Sequence, residues 1–432
     1  MNINSNIGSE IQKLKGMLKN GTSAPFVVKE AAHQLEEAGF KQLEYQYDWG
    51  LNYGGKYYMK HHDTSLFAFT IGEKFAFKDS FRIGAAHTDF PCLRIKPNPD
   101  LSVSGYHQLN VEVYGGAILN TWLDRPLSVS GRVAVKSEDV FHPDMRFISV
   151  SEPLMTIPNL AIHMNKEVNK GIELNKQTDL LPIIAMEEKE SVEFLEFLAE
   201  KLEVEKEDIL EFELWLYCTD QPTSLGLTND FLLSPRLDNI TSVQALVSAL
   251  IGAEREHGIN IIALFDHEEI GSRTKQGAGS LLLLNILEKI CLCFGKTNQQ
   301  IKETLYESMM LSVDVAHGLH PNNAGKMDLT NKPVLNGGFC IKEAGSQAYA
   351  TDCEMIAIVE QICQKEEIPY QKFVNRSDLP GGGTLGSIAS SIIPVRTVDI
   401  GIPLLAMHSA AETMGMKDQK SLTDFITAYF RI

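Results

Sequence analysis

The apolar and polar positions of residues 232–432 predict strands and helices in alternation. Short apolar runs such as Ile261–Phe265 and Met309–Val315 have the length of buried strands, whereas Gly279–Phe294 has helical spacing. Further helices are predicted at Val243–Gly252, Tyr349–Gln364 and Gly386–Ser391, and further strands at Tyr370–Val374, Val395–Ile400 and Leu404–Met407. Nearer the N-terminus, residues 24–40 read as a helix and residues 65–71 and 81–86 as strands. This alternation is typical of a mostly parallel α/β sheet covered by helices on both faces.

Between these parts the pattern changes to short stretches in which apolar and polar residues alternate. Val111–Tyr114, Leu127–Val129 and Val133–Val135 have this period of two, with Gly and Pro between them. Residues 188–211 are rich in Glu and Lys and predict a solvated helix. We therefore predict one α/β domain, residues 1–93 and 232–432, which is interrupted by a mainly β insertion domain, residues 94–231.

Composition narrows the class of partner and the compartment. The 432 residues carry a net charge of −17, which disfavours nucleic acid or an anionic membrane as a partner. The seven cysteines are scattered and form no Cys-x-x-Cys pair, so we expect reduced thiols in a cytoplasmic protein. No apolar run approaches the ~18 residues of a membrane span, and we expect no membrane association.

The apolar run at Ile261–Phe265 ends abruptly in acidic residues, in the sequence Phe-Asp-His-Glu-Glu-Ile-Gly-Ser. A buried carboxylate is costly unless a cation or another partner compensates its charge. Adjacent side chains on an extended segment point in different directions. One of Glu268 and Glu269 can therefore hold a metal ion while the other transfers protons, and the residues alone leave open which does which.

Four other apolar runs also end in histidine or aspartate. These candidate residues are His87 and Asp89, Asp238, Asp314 and His408. Ligands bind beyond the carboxyl ends of the strands in open α/β sheets, so side chains far apart in sequence converge there. Imidazole and carboxylate groups suit zinc or similar divalent ions, and cobalt and manganese also tolerate them. A carboxylate can bridge two ions, and Asp89 can accept the second ring N–H of a metal-bound His87.

Each residue has a simpler interpretation when it is taken alone. An isolated histidine such as His87 or His408 more often packs in a core or lies on the surface. Asp238 can be the N-cap of the helix that follows it. His317 and His320 are ligands by type, but we expect them to pack around the site rather than to bind metal.

Taken in order, the motifs resemble those of the aspartyl aminopeptidase family of di-zinc metallopeptidases. They are His-Thr-Asp, Leu-Asp-Asn, Asp-His-Glu-Glu-Ile-Gly-Ser, Ser-Val-Asp-Val-Ala-His-Gly-Leu-His-Pro-Asn and Ala-Met-His-Ser, between residues 87 and 409. The resemblance implies an exopeptidase that removes N-terminal residues from peptides, often acidic ones. It also implies a β-rich insertion used in assembly and a homododecamer.

The resemblance assigns roles residue by residue. It places His87, Asp238 and Glu269 around one zinc ion, and Asp238, Asp314 and His408 around a second. Asp238 would bridge the two ions, and Glu268 would be the general base.

Three further assignments concern the substrate. The segment Pro158-Asn-Leu-Ala-Ile-His-Met-Asn is similar to a family loop that reaches a neighbouring subunit, which implies that His163 acts in trans on the scissile carbonyl. Lys342 aligns with the lysine of the family's acidic-side-chain pocket, and the alternative is a solvated lysine. Gly381, Gly382 and Gly383 match a substrate-binding loop in which the backbone approaches the peptide. Three consecutive glycines, and differences around Lys342, depart from the pattern of relatives and bear on substrate preference.

Other functions are compatible with the same residues. A di-metal deacylase or carboxypeptidase would need a similar set of ligands, and an aminopeptidase could prefer neutral residues. A non-catalytic assembly or carrier protein would be expected if one of the ligands were missing, and none is.

Overall fold

The structure, a computed structural model, describes residues 3–76, 79–171, 173–187, 193–379 and 381–432. The strands among these residues are β1 (Lys41–Gln42), β2 (Lys56–His61), β3 (Ser65–Ile71), β4 (Phe81–His87), β5 (Cys92–Val103), β6 (Tyr106–Tyr114), β7 (Leu127–Val135), β8 (Asp144–Ser149), β9 (Ile183–Met186), β10 (Ile209–Cys218), β11 (Thr223–Leu225), β12 (Phe231–Ser234), β13 (Ile259–Phe265), β14 (Met309–Val313), β15 (Ala316–His317), β16 (Phe339–Glu343), β17 (Tyr370–Val374), β18 (Arg396–Gly401), β19 (Pro403–Leu405) and β20 (Glu412–Gly415).

The α-helices alternate with these strands in the N- and C-terminal parts of the chain. They are α1 (Ile3–Asn20), α2 (Ala24–Glu37), α3 (Phe194–Leu202), α4 (Leu237–Gly252), α5 (Leu282–Cys293), α6 (Asn298–Tyr306), α7 (Cys353–Lys365), α8 (Leu385–Ile392) and α9 (Asp418–Arg431). None of the helices in the described part of the chain combines the length and the apolar character that a membrane crossing requires.

The chain divides into two compact units. The first comprises residues 1–89, 222–407 and 412–432, and the second comprises residues 90–221 and 408–411. The predicted division at residues 93/94 and 231/232, and the assembly role of the insertion, stay predictions.

A nine-stranded sheet forms the centre of the first unit, in the order β1-β2-β3-β13-β4-β14-β18-β16-β17. The four central strands β13, β4, β14 and β18 are parallel to one another, whereas β3 and β16 pair with them in the antiparallel sense. Every residue of β13 is buried, as expected for a central strand covered on both sides. The predicted α/β class with a mostly parallel sheet is confirmed. A smaller sheet, β11-β12-β20-β19-β15, completes this unit.

Helices cover the two faces of the large sheet. Phe81, Ile83 and Ala85 of β4 belong to a core cluster that also contains residues of α5 and α8, such as Ile286 and Ala389. Gly84 alternates to the opposite face, where α4 and α9 pack against β4.

The second unit is built around a six-stranded antiparallel sheet, in the order β8-β7-β10-β5-β6-β9. This agrees with the alternating pattern of residues 100–150. The helix predicted over residues 188–211 is wrong in its length, because only Phe194–Leu202 is an α-helix and Ile209 already begins β10. Pairing of β10 with β7 along its whole length decides the conformation there. Residues 188–192 of that prediction lie outside the described residues.

We predict that Gly84→Ala destabilises the first unit by about 1–3 kcal/mol, because an added methyl group overpacks a closed interface. Its Cβ would lie 2.3 Å from Leu246 Cδ2, and Leu246 is fully buried in α4. The measurement is the midpoint of thermal unfolding. Gly16→Ala is the matched control, since Gly16 lies in α1 with no atom within 4 Å of the added Cβ, and it should leave or raise the midpoint. Equal midpoints for the two variants would contradict the packing argument.

Candidate metal centre and active site

Parallel pairing of β4 with β13 brings the first predicted site residues together. The two strands end side by side, with His87 directly opposite Phe265. The Thr88 amide also donates to the Phe265 carbonyl at 2.8 Å, which continues the pairing past the strand ends. Glu268 and Glu269 follow in a short 3₁₀ turn, and His267, directly before this turn, has a φ of 63°. Both glutamates are therefore held beside the end of β4.

Three of the predicted metal ligands form a cluster. His87, Asp238 and Glu269 each offer a ligand atom, and these atoms lie within 4.8 Å of one another. His87 Nε2 is 3.5 Å from Asp238 Oδ1 and 3.7 Å from Asp314 Oδ1. His87 is 1% and Asp238 3% exposed, whereas Glu269 is partly exposed. Asp314, the fourth predicted ligand, therefore borders the same histidine.

Asp89 has contacts beyond those that the sequence predicted. His87 Nδ1 lies 3.0 Å from the Asp89 carbonyl oxygen and 3.5 Å from its Oδ1, so the ring proton has the backbone carbonyl as its nearer acceptor. The Asp89 carboxylate instead accepts from the backbone amides of Glu268 at 3.1 Å and Glu269 at 3.2 Å. Asp89 thereby orients the histidine and also holds the turn that carries both glutamates.

Asp238 lies at an irregular start of α4. Its φ/ψ values and those of Asn239 are not helical. The Asn239 amide group donates to the Val313 carbonyl at 2.9 Å, and the Asp238 backbone N–H donates to Glu412 Oε2 at 3.0 Å. Glu412, which is 2% exposed in β20, was not predicted from the sequence, because its burial and its contact with Asp238 are visible only in the structure. Both contacts fix the backbone from which the Asp238 carboxylate projects.

Lys342 is buried in β16 and is not the solvated lysine of the alternative interpretation. Its Nζ donates to the carbonyls of Asp314 at 3.2 Å and Val315 at 2.8 Å, and it lies 3.6 Å from Asp314 Oδ2. Burial disfavours the ammonium form, but electrostatic interactions with Asp314, Tyr349, Asp399 and Asp238 together outweigh burial, and the pKa of Lys342 lies above its ordinary value. The lysine therefore stays charged beside a predicted metal ligand.

The acidic cluster also shifts the pKa values of its members. Burial lowers the pKa of His87, but hydrogen bonds with Asp238, Asp314 and Asp89 outweigh burial and hold this pKa well above its ordinary value. Burial raises the pKa of the Glu268 carboxyl to about 7, with help from the charges of Asp314, Asp89 and Asp238. Negative charge thus accumulates at this point, and a bound cation would offset it.

The remaining predicted residues lie elsewhere in the two units. In the first unit, Gly381 and Gly382 line a cavity of about 340 Å³ together with His317 and His320. The centroids of the His317 and Phe373 rings are 5.9 Å apart, and His320 Nδ1 accepts from the Asn322 amide at 3.2 Å. That neither histidine binds metal stays a prediction. A Cβ added at Gly383 would lie 3.6 Å from the Ala348 carbonyl oxygen.

The two predicted histidines outside this cluster belong to the second unit. His408 Nδ1 lies 3.1 Å from the Gly116 carbonyl oxygen, and His163 lies in an exposed turn. The predicted metal-binding role of His408 and the role of His163 in trans stay predictions.

Comparison with known proteins shows the family. The profile of the aminopeptidase I zinc metalloproteases, peptidase M18, matches residues 17–430. The chain belongs to the M18 family. A relative from Clostridium acetobutylicum, a probable M18 family aminopeptidase 2, is 43% identical over 96% of this chain and 98% of its own length. The protein is therefore a metalloaminopeptidase, which decides against the deacylase, carboxypeptidase and carrier alternatives.

Solved structures agree with this M18 assignment. One, from the cryo-EM structure of the Ape4 and Nbr1 complex, has a TM-score of 0.94 and 32% identity, and covers 98% of this chain and 86% of its own. Another, the S. cerevisiae mApe1 dodecamer, has a TM-score of 0.85 and 26% identity, with 97% and 95% of the two chains covered.

The residues of this M18 aminopeptidase fit the zinc that the family name implies. One imidazole and two carboxylates within 4.8 Å are a donor set that zinc accepts. Burial of neighbouring carboxylates is unfavourable without a compensating charge, and a cation there would relieve their mutual repulsion. The described cluster can hold one divalent ion, and Asp314 extends it toward Lys342.

We predict that Asp238→Asn lowers zinc affinity by more than the roughly 10- to 100-fold expected for loss of a residue outside the ligand set. The amide removes the negative charge but keeps the shape. The measurement is zinc per subunit after dialysis against a graded chelator. Asp139→Asn is the matched control, since Asp139 is exposed and its carboxylate contacts the Phe141 amide and the His142 ring in its own turn. Unchanged zinc retention in Asp238→Asn would remove Asp238 from the ligand set.

Proposed function

We propose that this M18 aminopeptidase binds two divalent metal ions and removes acidic residues from peptide N-termini. The observation that supports it most is the convergence of His87, Asp238 and Glu269, with Asp314 at the same histidine. Zinc is the proposed metal, with cobalt and manganese as alternatives. His87, Asp238 and Glu269 would hold one ion, and Asp238, Asp314 and His408 would hold the other.

The metal ions, when bound, act as Lewis acids that polarise the scissile carbonyl and make water more acidic. Glu268 is the proposed general base, because it lies on the same turn as Glu269 but outside the ligand cluster. It takes a proton from the attacking water and delivers it to the leaving amine. Asp89 keeps Glu268 in place, since its carboxylate holds the amides of that turn. Each of these steps uses a residue whose backbone is fixed by its neighbours.

Preference for an acidic side chain is proposed to depend on Lys342. A buried ammonium group needs an anionic partner, and Asp314 is its partner among the described residues. A substrate carboxylate would supply a second one. Gly381, Gly382 and Gly383 are proposed to accept the peptide backbone, because Gly381 and Gly382 line the 340 Å³ cavity. A neutral preference is the alternative outcome.

Assembly into a homododecamer is part of the proposal. The exposed turn that carries His163 also exposes the apolar side chains of Leu160, Ile162 and Met164. Apolar groups gathered in this way are typical of a surface that another subunit covers. The mApe1 relative is a dodecamer. In a matching assembly, His163 would reach the active site of a neighbouring subunit and polarise the scissile carbonyl of the peptide bound there. We also propose that the protein is cytoplasmic, because its seven cysteines are scattered and form no Cys-x-x-Cys pair.

We predict that Glu268→Gln retains zinc and loses about 100- to 10,000-fold in kcat, as expected when a general base is removed. The measurement combines zinc per subunit with release of the N-terminal residue from a dipeptide. Glu303→Gln, on the exposed side of α6, is the control for the same change of charge. Near-normal turnover in Glu268→Gln would exclude it as the base, and loss of zinc would show that it and Glu269 exchange roles.

We predict faster release of N-terminal Asp and Glu than of Leu or Lys, in a panel of aminoacyl substrates with zinc restored after chelation. Lys342→Met keeps the length and removes the charge, so it should lower kcat/KM for Asp and Glu by at least about 10-fold, the effect of losing a charged hydrogen bond. Release of Leu should change less. If Leu is the fastest substrate of the unaltered enzyme, the pocket is neutral and Lys342 has another role.

A further inference from the structure

Asp399 is a buried carboxylate that the catalytic assignment leaves unused. It lies in β18 with no exposed surface, opposite Ser312 of β14 on one side and Lys342 of β16 on the other. Burial raises the pKa of its carboxyl, whereas Lys342 and several hydrogen bonds oppose this rise. Such a group remains in a core only when its oxygens are hydrogen-bonded.

The bonds of Asp399 join two segments that are far apart in sequence. Its Oδ1 accepts from Thr384 Oγ1 at 2.5 Å, and its Oδ2 accepts from the Ala350 amide at 2.6 Å. Its own amide donates to Thr351 Oγ1 at 3.0 Å. Thr384 directly follows the glycine loop, which is residues 381–383. Ala350 and Thr351 lie shortly before α7. Both segments are therefore tied to the same strand residue.

The Thr384 hydroxyl serves Asp399 rather than its own helix. Thr384 occupies the N-cap of α8 but makes no capping hydrogen bond with its side chain. Its amide donates to the Ala348 carbonyl at 3.3 Å, so the segment before α7 also contacts it directly. Thr384 is 3% exposed as a residue, and its hydroxyl thus fixes the C-terminal end of the glycine loop.

The other end of the loop meets the same segment. Gly381 lies so close to Asn375 that an added Cβ would be 2.1 Å from Asn375 Nδ2. That amide group donates to the Tyr349 hydroxyl at 3.3 Å, and Tyr349 precedes Ala350. The Lys342 ammonium lies 4.8 Å above the Tyr349 ring. Residues 348–351 therefore contact both ends of the loop and, through the Tyr349 ring, the proposed pocket lysine. The same residues are hydrogen-bonded to Asp399.

We propose that Asp399 is a positioning residue, which holds the glycine loop and the Tyr349 segment in the conformation that binds the peptide. The inference rests on the proposed function of the loop. Consecutive glycines have the largest backbone freedom, so a loop of this kind loses the most entropy when it becomes ordered around a ligand. An anchor that fixes it beforehand lowers that loss and strengthens binding. Among the described residues that line the 340 Å³ cavity, Asp399 does not occur, so it would act through the loop and the Tyr349 segment.

The test compares Thr384→Val, which removes the hydroxyl but keeps the shape, with Thr384→Ser, which keeps the hydroxyl. We expect Thr384→Val to raise KM for an N-terminal Asp dipeptide about 10-fold, as for loss of a charged hydrogen bond, with kcat changed less than about threefold. Thr384→Ser should remain within about threefold of the unaltered KM. Asp399→Ala removes the acceptors of both Thr384 and Ala350, so it should raise KM at least as much as Thr384→Val does. Adding Thr384→Val to Asp399→Ala should change KM little further, because the Thr384 bond is already lost.

Three controls separate this effect from general damage. Thr423→Val removes another buried hydroxyl, which donates to the Gln419 carbonyl within α9, and it should not change KM. Zinc per subunit should be unchanged in Thr384→Val. Hydrogen exchange should become faster at the amides of residues 348–351 and 381–384 in Thr384→Val, but not in Thr384→Ser or Thr423→Val.

The outcomes keep the two proposals apart. An unaltered KM in Thr384→Val, or equal losses in Thr384→Val and Thr384→Ser, would overturn the positioning role while the aminopeptidase assignment stands. A fall in kcat with loss of zinc would also overturn it. If the unaltered enzyme does not favour acidic residues, the proposed specificity fails, and hydrogen exchange still decides whether Asp399 holds the loop.

Discussion

Parallel pairing of β4 with β13 is the constraint on which the rest of the site depends. It places the end of one strand, His87, directly beside the end of the other, Phe265, so that the turn with Glu268 and Glu269 reaches the histidine. Parallel neighbours β14 and β18 add further strand ends at the same edge of the sheet. Because such a sheet is buried on both faces, its strand ends are rigid supports for side chains that must keep their geometry.

This arrangement buries several charged groups, which is unfavourable, and the surrounding structure offsets this cost in three ways. Backbone amides donate to Asp89, which holds the glutamate turn. The Lys342 ammonium faces Asp314, and hydrogen-bond donors surround Asp399. A divalent ion among His87, Asp238 and Glu269 would offset the remaining charge. Metal binding and stability of this region are therefore coupled, since the same carboxylates serve both.

Several elements escaped prediction because their tertiary environment overrides the local pattern. Helix α9 was not predicted although its apolar residues have helical spacing, and the structure buries even polar residues of this helix, among them Asp418, Gln419 and Thr423. The acidic stretch 188–211 indicated one solvated helix, but pairing of Ile209–Cys218 with β7 draws its end into a sheet. Glu412 and Asp399 went unnoticed since single carboxylates within apolar runs reveal their role only through the atoms that they contact.

The sequence by itself determined the α/β class, the family and the set of candidate ligands. It could do so because buried parallel strands need continuous apolar runs, and because charged residues at their ends are too costly to occur without a function. Only the tertiary structure decided that His87, Asp238 and Glu269 come within 4.8 Å, that Asp89 holds the glutamate turn, and that Lys342 is buried against Asp314. These contacts depend on strand order and register, which join residues hundreds of positions apart and leave no local pattern along the chain.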